Sequence, residues 1–260
     1  MSTADAIVES PAAHVTPGTR PSLVRLVAVE VRKMVDTRAG FWLQLATLAS
    51  MIGLVVAAVV FGEPQDSKFQ DMFLAALWPA TILLPIVGIL LVTSEWSQRT
   101  ALITFTLIPR RSRVVVAKLG AGVALVFAAL VISVPMGAFV TVIAAPGVAD
   151  TWSLPPEILG QAAFYAAAVM IVGLAFGMAL LSPAPAIVLY FVLPIGWSLL
   201  SSIPALEGTG RWLDSSRSLA PLTEHSLDAT EWARVGTTLA LWMLLPLLVG
   251  LWRITRSEVQ

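Results

Sequence analysis

The side chains able to do chemistry in this sequence are concentrated in one stretch, residues 94–119, which reads SEWSQRTALITFTLIPRRSRVVVAKL. It holds Glu95, Arg99, Arg110, Arg111, Arg113 and Lys118, with Pro109 standing between an apolar run and the basic cluster. With no glycine and only one proline, this basic segment reads as an ordered unit that a separate protein could grip. The rest of the chain offers little more. It has no cysteine, which removes disulfides, thiolate metal sites and cysteine nucleophiles. The two histidines, His14 and His225, are far apart and outside the apolar runs, so neither a metal site nor a histidine relay is expected. No phosphate-cradling GxxxxGK[ST] and no zinc-binding HExxH occurs. Ser198, in GWSLL, lies inside an apolar run with no histidine on a neighbouring run, and reads as a packing serine. Neither enzyme activity nor a bound cofactor is expected.

The elements that must position this charged stretch follow from composition. Of the 260 residues, 57% are hydrophobic and only 12% charged, where a soluble domain carries roughly a quarter charged. With a mean hydropathy of +0.85, the chain has too little polar surface to cover itself, and lipid must be its solvent. Six apolar stretches reach the about 20 residues a helix needs to cross a bilayer. They run over 41–62, 73–94, 119–145, 161–181, 186–206 and 235–252. In hydrocarbon an unbonded amide or carbonyl costs several kcal/mol, so each must bond internally as a helix. Pro79, Pro85, Pro135, Pro194 and Pro246 fall inside them and predict local kinks. The expected fold is therefore all-α and polytopic, with six transmembrane helices.

Lysine and arginine set the orientation. Arg20, Arg25, Arg32, Lys33, Arg38, Arg99, Arg110, Arg111, Arg113, Lys118, Arg253 and Arg256 share one side. Lys68, Arg211, Arg217 and Arg234 fall on the other. That bias places both termini in the cytoplasm, and Trp42, Trp96, Trp152, Trp212, Trp232 and Trp252 fall near the ends of the spans, where amphipathic rings belong. Residues 1–21, rich in Ala, Ser, Thr and Pro, lack the basic start and apolar centre of a signal peptide and read as a disordered cytoplasmic tail. Residues 22–260 read as one domain. Its first part, 22–40, has Leu23, Leu26, Val27, Val31, Met34 and Val35 at helical spacing, with Arg25, Arg32 and Lys33 placed to reach water. An interfacial helix fits that pattern, and a plain extension of the first span is the alternative. No charge is expected well inside a span, which disfavours an ion-coupled carrier. Gly173 and Gly177 form a small-xxx-small pair that predicts close helix contact. Residues 207–234 are expected to hold one or two short amphipathic helices on the outer side.

The stretch 94–119 resembles the hallmark of type-2 ATP-binding-cassette (ABC) transporter permeases. The matching positions are Glu95, Arg99, Thr100, Pro109, Arg110, Arg111, Arg113 and Lys118, with Gln98-Arg99 standing where an Arg-Gly pair is common. The likeness extends to the amphipathic first helix with Glu30 and Lys33, to the six spans, to the long outer loop before the last helix, and to GLWRITRSEV over 250–259. It implies the membrane subunit of a bacterial exporter, in the plasma membrane. By the same resemblance, the connection between the second and third transmembrane helices is a coupling helix seated on a separate ATPase (nucleotide-binding) subunit. It also implies a homodimer, or a heterodimer with a related permease, and an outer gate within 207–234, for which an ordinary interfacial cap is the alternative. The mixture of aliphatic, Trp, Phe and Ser/Thr side chains in the spans suits an amphipathic or hydrophobic cargo such as a drug, peptide, lipid or metabolite. The positive-inside rule alone also accounts for Arg110, Arg111 and Arg113, and a membrane scaffold or immunity protein is the alternative function. Membrane lipid is an expected partner and nucleic acid is not.

Overall fold

The computed structural model describes residues 21–62, 68–98, 111–144 and 151–256. Among them the backbone is helical, with no strand. The first helix, α1, spans Leu23–Asp36, and its N-cap Ser22 accepts from the Arg25 amide. Extended Thr37 ends it, and the same residue's hydroxyl caps α2 (Arg38–Phe61) by accepting from the Gly40 amide at 3.2 Å. One residue thus separates α1 from the first span. The chain continues with α3 (Phe69–Ser97), α4 (Arg111–Ala144), α5 (Pro156–Leu180) and α6 (Pro183–Ser201). A 3₁₀ turn (Pro204–Leu206) follows, then three short helices: α7 (Glu207–Leu213), α8 (Ser215–Leu219) and α9 (Pro221–Glu224). Finally α10 (Ala229–Leu239), a π-helical turn (Ala240–Leu244) and α11 (Leu245–Arg256) run on as a single rod.

Six of these units are long and apolar enough to cross a membrane: α2, α3, α4, α5, α6 and the rod over Ala229–Ile254. Large apolar side chains such as Phe61, Phe127, Leu199 and Trp252 stand exposed around the bundle, and the chain is membrane-embedded. Helix α3 is central. Of its most apolar window 67% is buried, against 17% for α2 and 11% for α6, and it packs on α2, α4 and α5. Phe73, Leu77, Ala80, Leu84, Val87 and Leu91 recur every three or four residues to make its core stripe, facing Met170, Leu174 and Met178 of α5 and Val126 and Leu130 of α4. Gly173 and Gly177 bring α5 and α3 together as expected. A Cβ at Gly173 would lie 2.7 Å from the Pro85 carbonyl oxygen. Similarly, a Cβ at Gly137 of α4 would meet the Phe73 amide nitrogen at 2.7 Å.

Several boundaries differ from the sequence reading, for one reason: hydropathy marks the bilayer core, whereas helical hydrogen bonding continues into charged flanks. Helix α3 runs on through Glu95 to Ser97, and α4 begins at Arg111. Arg111 and Arg113 therefore lie in the first turn of a helix that starts eight residues ahead of the expected third span. Lys118, one residue ahead of the expected third span, is buried two turns into the 34-residue α4, in its charged flank. The last span starts at Ala229, six residues early, and the 207–227 connection forms three short helices where one or two were expected. The π turn precedes Pro246, whose ring and missing N–H would break a regular α-helical ladder; the wider turn accommodates it. The tail over 1–20 and the connection over 99–110 lie outside the described residues.

Candidate functional site

At the end of the bundle where α3 finishes and α4 starts, four charged side chains from three helices meet. On α1, Leu26, Glu30 and Met34 form the buried face at four-residue spacing, so Glu30 occupies a core position of an otherwise apolar stripe. Glu95 sits in the last turn of α3. Lys118 lies on the buried face of α4 with Val114, Val115, Ala121 and Gly122. Lys33 comes from α1, one turn beyond Glu30. Glu30, Glu95 and Lys118 are 5%, 8% and 4% exposed.

Each ammonium touches both carboxylates. Lys33 Nζ is 2.7 Å from Glu30 Oε1 and 2.7 Å from Glu95 Oε1. Lys118 Nζ is 2.8 Å from Glu30 Oε2 and 3.0 Å from Glu95 Oε1, and donates a further bond to the Leu91 carbonyl at 3.1 Å. The signs alternate around the ring and the total charge is zero, the condition under which buried charges are tolerated. Burial disfavours the Lys33 ammonium, but hydrogen bonds and charge from Glu30 and Glu95 outweigh it and hold Lys33 above its ordinary value of 10.5.

The remaining expected site residues fall around this ring. Arg113 donates to the Pro21 carbonyl at 2.6 Å, fastening the start of α4 to the start of α1. Arg111 donates to the Ile254 carbonyl in the last turn of α11, satisfying an acceptor left open at a helix end. Arg253 does the same for the Ala179 carbonyl near the end of α5. Arg32 pairs with Asp36 at 3.0 Å on the exposed side of α1 and takes no part in the ring. Arg99, Thr100, Pro109 and Arg110 lie outside the described residues. Chemically, the ring can clamp three helices and respond to the loss of any member. It offers no nucleophile, and among the described residues no three His, Asp or Glu side chains are grouped to hold a metal.

The opposite end carries a polar fastening that the sequence reading missed. Gln161 of α5 donates to the Leu222 and His225 carbonyls at 3.2 and 2.7 Å and accepts from the Leu227 amide at 3.1 Å. Buried Asp214 accepts from the Ser201 hydroxyl at 3.1 Å and caps α8 through the Ser216 and Arg217 amides. Trp242, in the π turn, donates from its indole nitrogen to the Leu213 carbonyl at 2.8 Å. Beneath this cap a cavity of about 240 Å³ is lined by Trp78, Tyr165, Tyr190, Phe191 and Trp242, with Thr81 among the polar groups.

No protein-family profile matches the sequence, and no curated protein matches it.

Proposed function

We propose that this chain is the membrane-spanning subunit of an ATP-driven ABC exporter, moving an amphipathic or hydrophobic compound out of the cytoplasm with energy from a separate ATPase subunit. The observation that supports the reading most strongly is the ion ring. Both ends of the 99–110 connection are built into it, Glu95 on the α3 side and Lys118 on the α4 side, and Glu30 and Lys33 add α1. A push on that connection would reach three helices as one body, which is what a coupling element needs. The residues that carry the likeness to type-2 permeases are in part the residues that build the ring: Glu30, Lys33, Glu95 and Lys118.

The aromatic cavity under the polar cap supports the cargo class, since flat apolar walls with a few hydroxyls suit an amphipathic molecule. The cap itself, tied by Gln161, Asp214 and Trp242 at the end of the bundle away from the ring, would serve as the outer gate. With the positive-inside bias, the ring end faces the cytoplasm of a bacterial cell and both termini lie there. The test has two parts: whether a cysteine placed in 99–110 cross-links to an ATPase chain, and whether ATP then drives export from sealed vesicles. Cargo flow without any contact between this connection and a nucleotide-hydrolysing chain would overturn the proposal.

A further inference from the structure

Beside the ion ring lies a larger cavity, of about 750 Å³, at the same end of the bundle. Its walls divide by chemistry. One side is apolar, made by Met34 of α1, Val87, Leu90 and Leu91 of α3, and Pro183 of α6. The rim is polar and basic, made by Lys33 and Arg38 with Ser94 and Gln98. Glu95 also reaches this space, but its carboxylate already accepts from Lys33 and Lys118, and the ring as a whole is neutral. Arg38 is different. Asp36, the nearest acid in the chain, is taken by Arg32 at 3.0 Å, and Arg38 has no acidic partner among the described residues. Among the described residues the rim therefore carries one uncompensated cation, beside the first amides of the 24-residue helix α2, whose dipole adds to the positive potential. These amides are not all spent: the Thr37 hydroxyl takes the Gly40 amide and the Thr37 carbonyl takes the Phe41 amide, and neither bond uses the amide of Ala39, which lines the cavity.

We infer that this cavity is a binding site for one acidic phospholipid, its phosphate held at Arg38 and the start of α2 and an acyl chain laid along Leu90, Leu91 and Val87. A phospholipid satisfies both halves of the wall at once, which a soluble anion or a neutral alkane does not. The site also stands where such a lipid is supplied. α2 begins here as a membrane span, so a headgroup at Arg38 lies at interface depth while the tail points into the bilayer. Occupancy would bear on the ring, because Lys33 belongs to both structures. A lipid phosphate drawing on Lys33 competes with Glu30 and Glu95 for the same ammonium, which makes the lipid a modulator of the clamp between α1 and α3. The inference does not depend on transport and stands or falls separately from it.

The experiment is native mass spectrometry of the full-length chain, released from a neutral detergent and titrated with dioleoyl-phosphatidylglycerol or dioleoyl-phosphatidylcholine. The wild type is expected to retain one phosphatidylglycerol in preference to phosphatidylcholine. Arg38→Gln is expected to weaken phosphatidylglycerol retention about fivefold, the factor for losing one cation beside an acidic headgroup, and to leave phosphatidylcholine unchanged. Arg38→Lys restores the preference. Leu90→Trp, which fills the apolar wall, lowers retention of both lipids. Equal retention of phosphatidylglycerol by wild type and Arg38→Gln, or no preference over phosphatidylcholine in the wild type, overturns the inference. Arg38 is exposed, so these two variants fold whatever becomes of Leu90→Trp.

Discussion

Replacing Lys118 by methionine tests the ion ring most sharply, because methionine keeps the length and apolar stem while deleting the charge. In the wild type, two carboxylates that are 5% and 8% exposed share two ammoniums. After Lys118→Met they share only Lys33, and one buried negative charge is left unbalanced. Removing one partner of a buried pair costs about 3–5 kcal/mol, mostly because the surviving charge is stranded. Lys33 still contacts both acids at 2.7 Å and its side chain is 37% exposed, so some water reaches the ring; the expected loss lies at the lower end, about 3 kcal/mol. The diagnostic is the double variant. Glu30→Gln with Lys118→Met leaves a neutral Lys33–Glu95 pair, so the double variant is expected to be more stable than the sum of the two single losses by about 1–3 kcal/mol. Equilibrium unfolding of the full chain in mixed detergent micelles gives all four corners of the cycle. Arg32→Ala is the control: its pair with Asp36 is exposed at 83% and 61%, and its loss is expected to cost under about 1 kcal/mol. Additive losses, agreeing within about 0.5 kcal/mol, would refute the reasoning, because the four charges would then act independently.

Two further outcomes follow from the same contacts. Lys33 is held above 10.5, so its contribution is complete below that pH and is lost as pH rises through the folded-state value; thermal denaturation between pH 7 and 12 should show wild type losing stability above pH 10.5 more steeply than Lys33→Met, and parallel loss would contradict the pairing. Gln161→Leu removes two donated bonds and one accepted bond and strands the Leu227 amide and the Leu222 and His225 carbonyls, so limited proteolysis should cut within 214–228 faster than in wild type, whereas an unchanged cleavage rate would show that Gln161 does not anchor the cap.

The six spans were legible because lipid leaves a chain few choices: a run of apolar residues long enough to cross must be helical, and Gly173 and Gly177 announce close contact by their size. The ion ring was only half legible. Glu30, Lys33, Glu95 and Lys118 stood out one by one, but hydropathy windows trimmed Glu95 and Lys118 away from α3 and α4 as flanks, and nothing local to the sequence places residues 88 positions apart side by side. One signal was present: Glu30 falls four residues from both Leu26 and Met34, on the apolar side of α1, where an acid needs a buried partner. Gln161 went unremarked for a related reason. It sits at the edge of a span, where a polar side chain looks solvated, and only the return of the 222–227 backbone makes it a three-bond anchor. Arg111 and Arg113 read as a free basic cluster, yet carbonyls at Ile254 and Pro21, far away in sequence, take them up.

The account rests on the connection between α3 and α4 being the place where an ATPase chain takes hold. The chain has no cysteine, so Thr100→Cys introduces a unique thiol into that connection. The measurement is cross-linking from this thiol in intact membranes, with and without ATP, followed by identification of the captured chain. The account predicts a cross-link to a nucleotide-hydrolysing protein on the cytoplasmic face, with a yield that changes when ATP is added. Labelling of the same thiol from outside the cell, or capture of lipid alone while export continues, would contradict it.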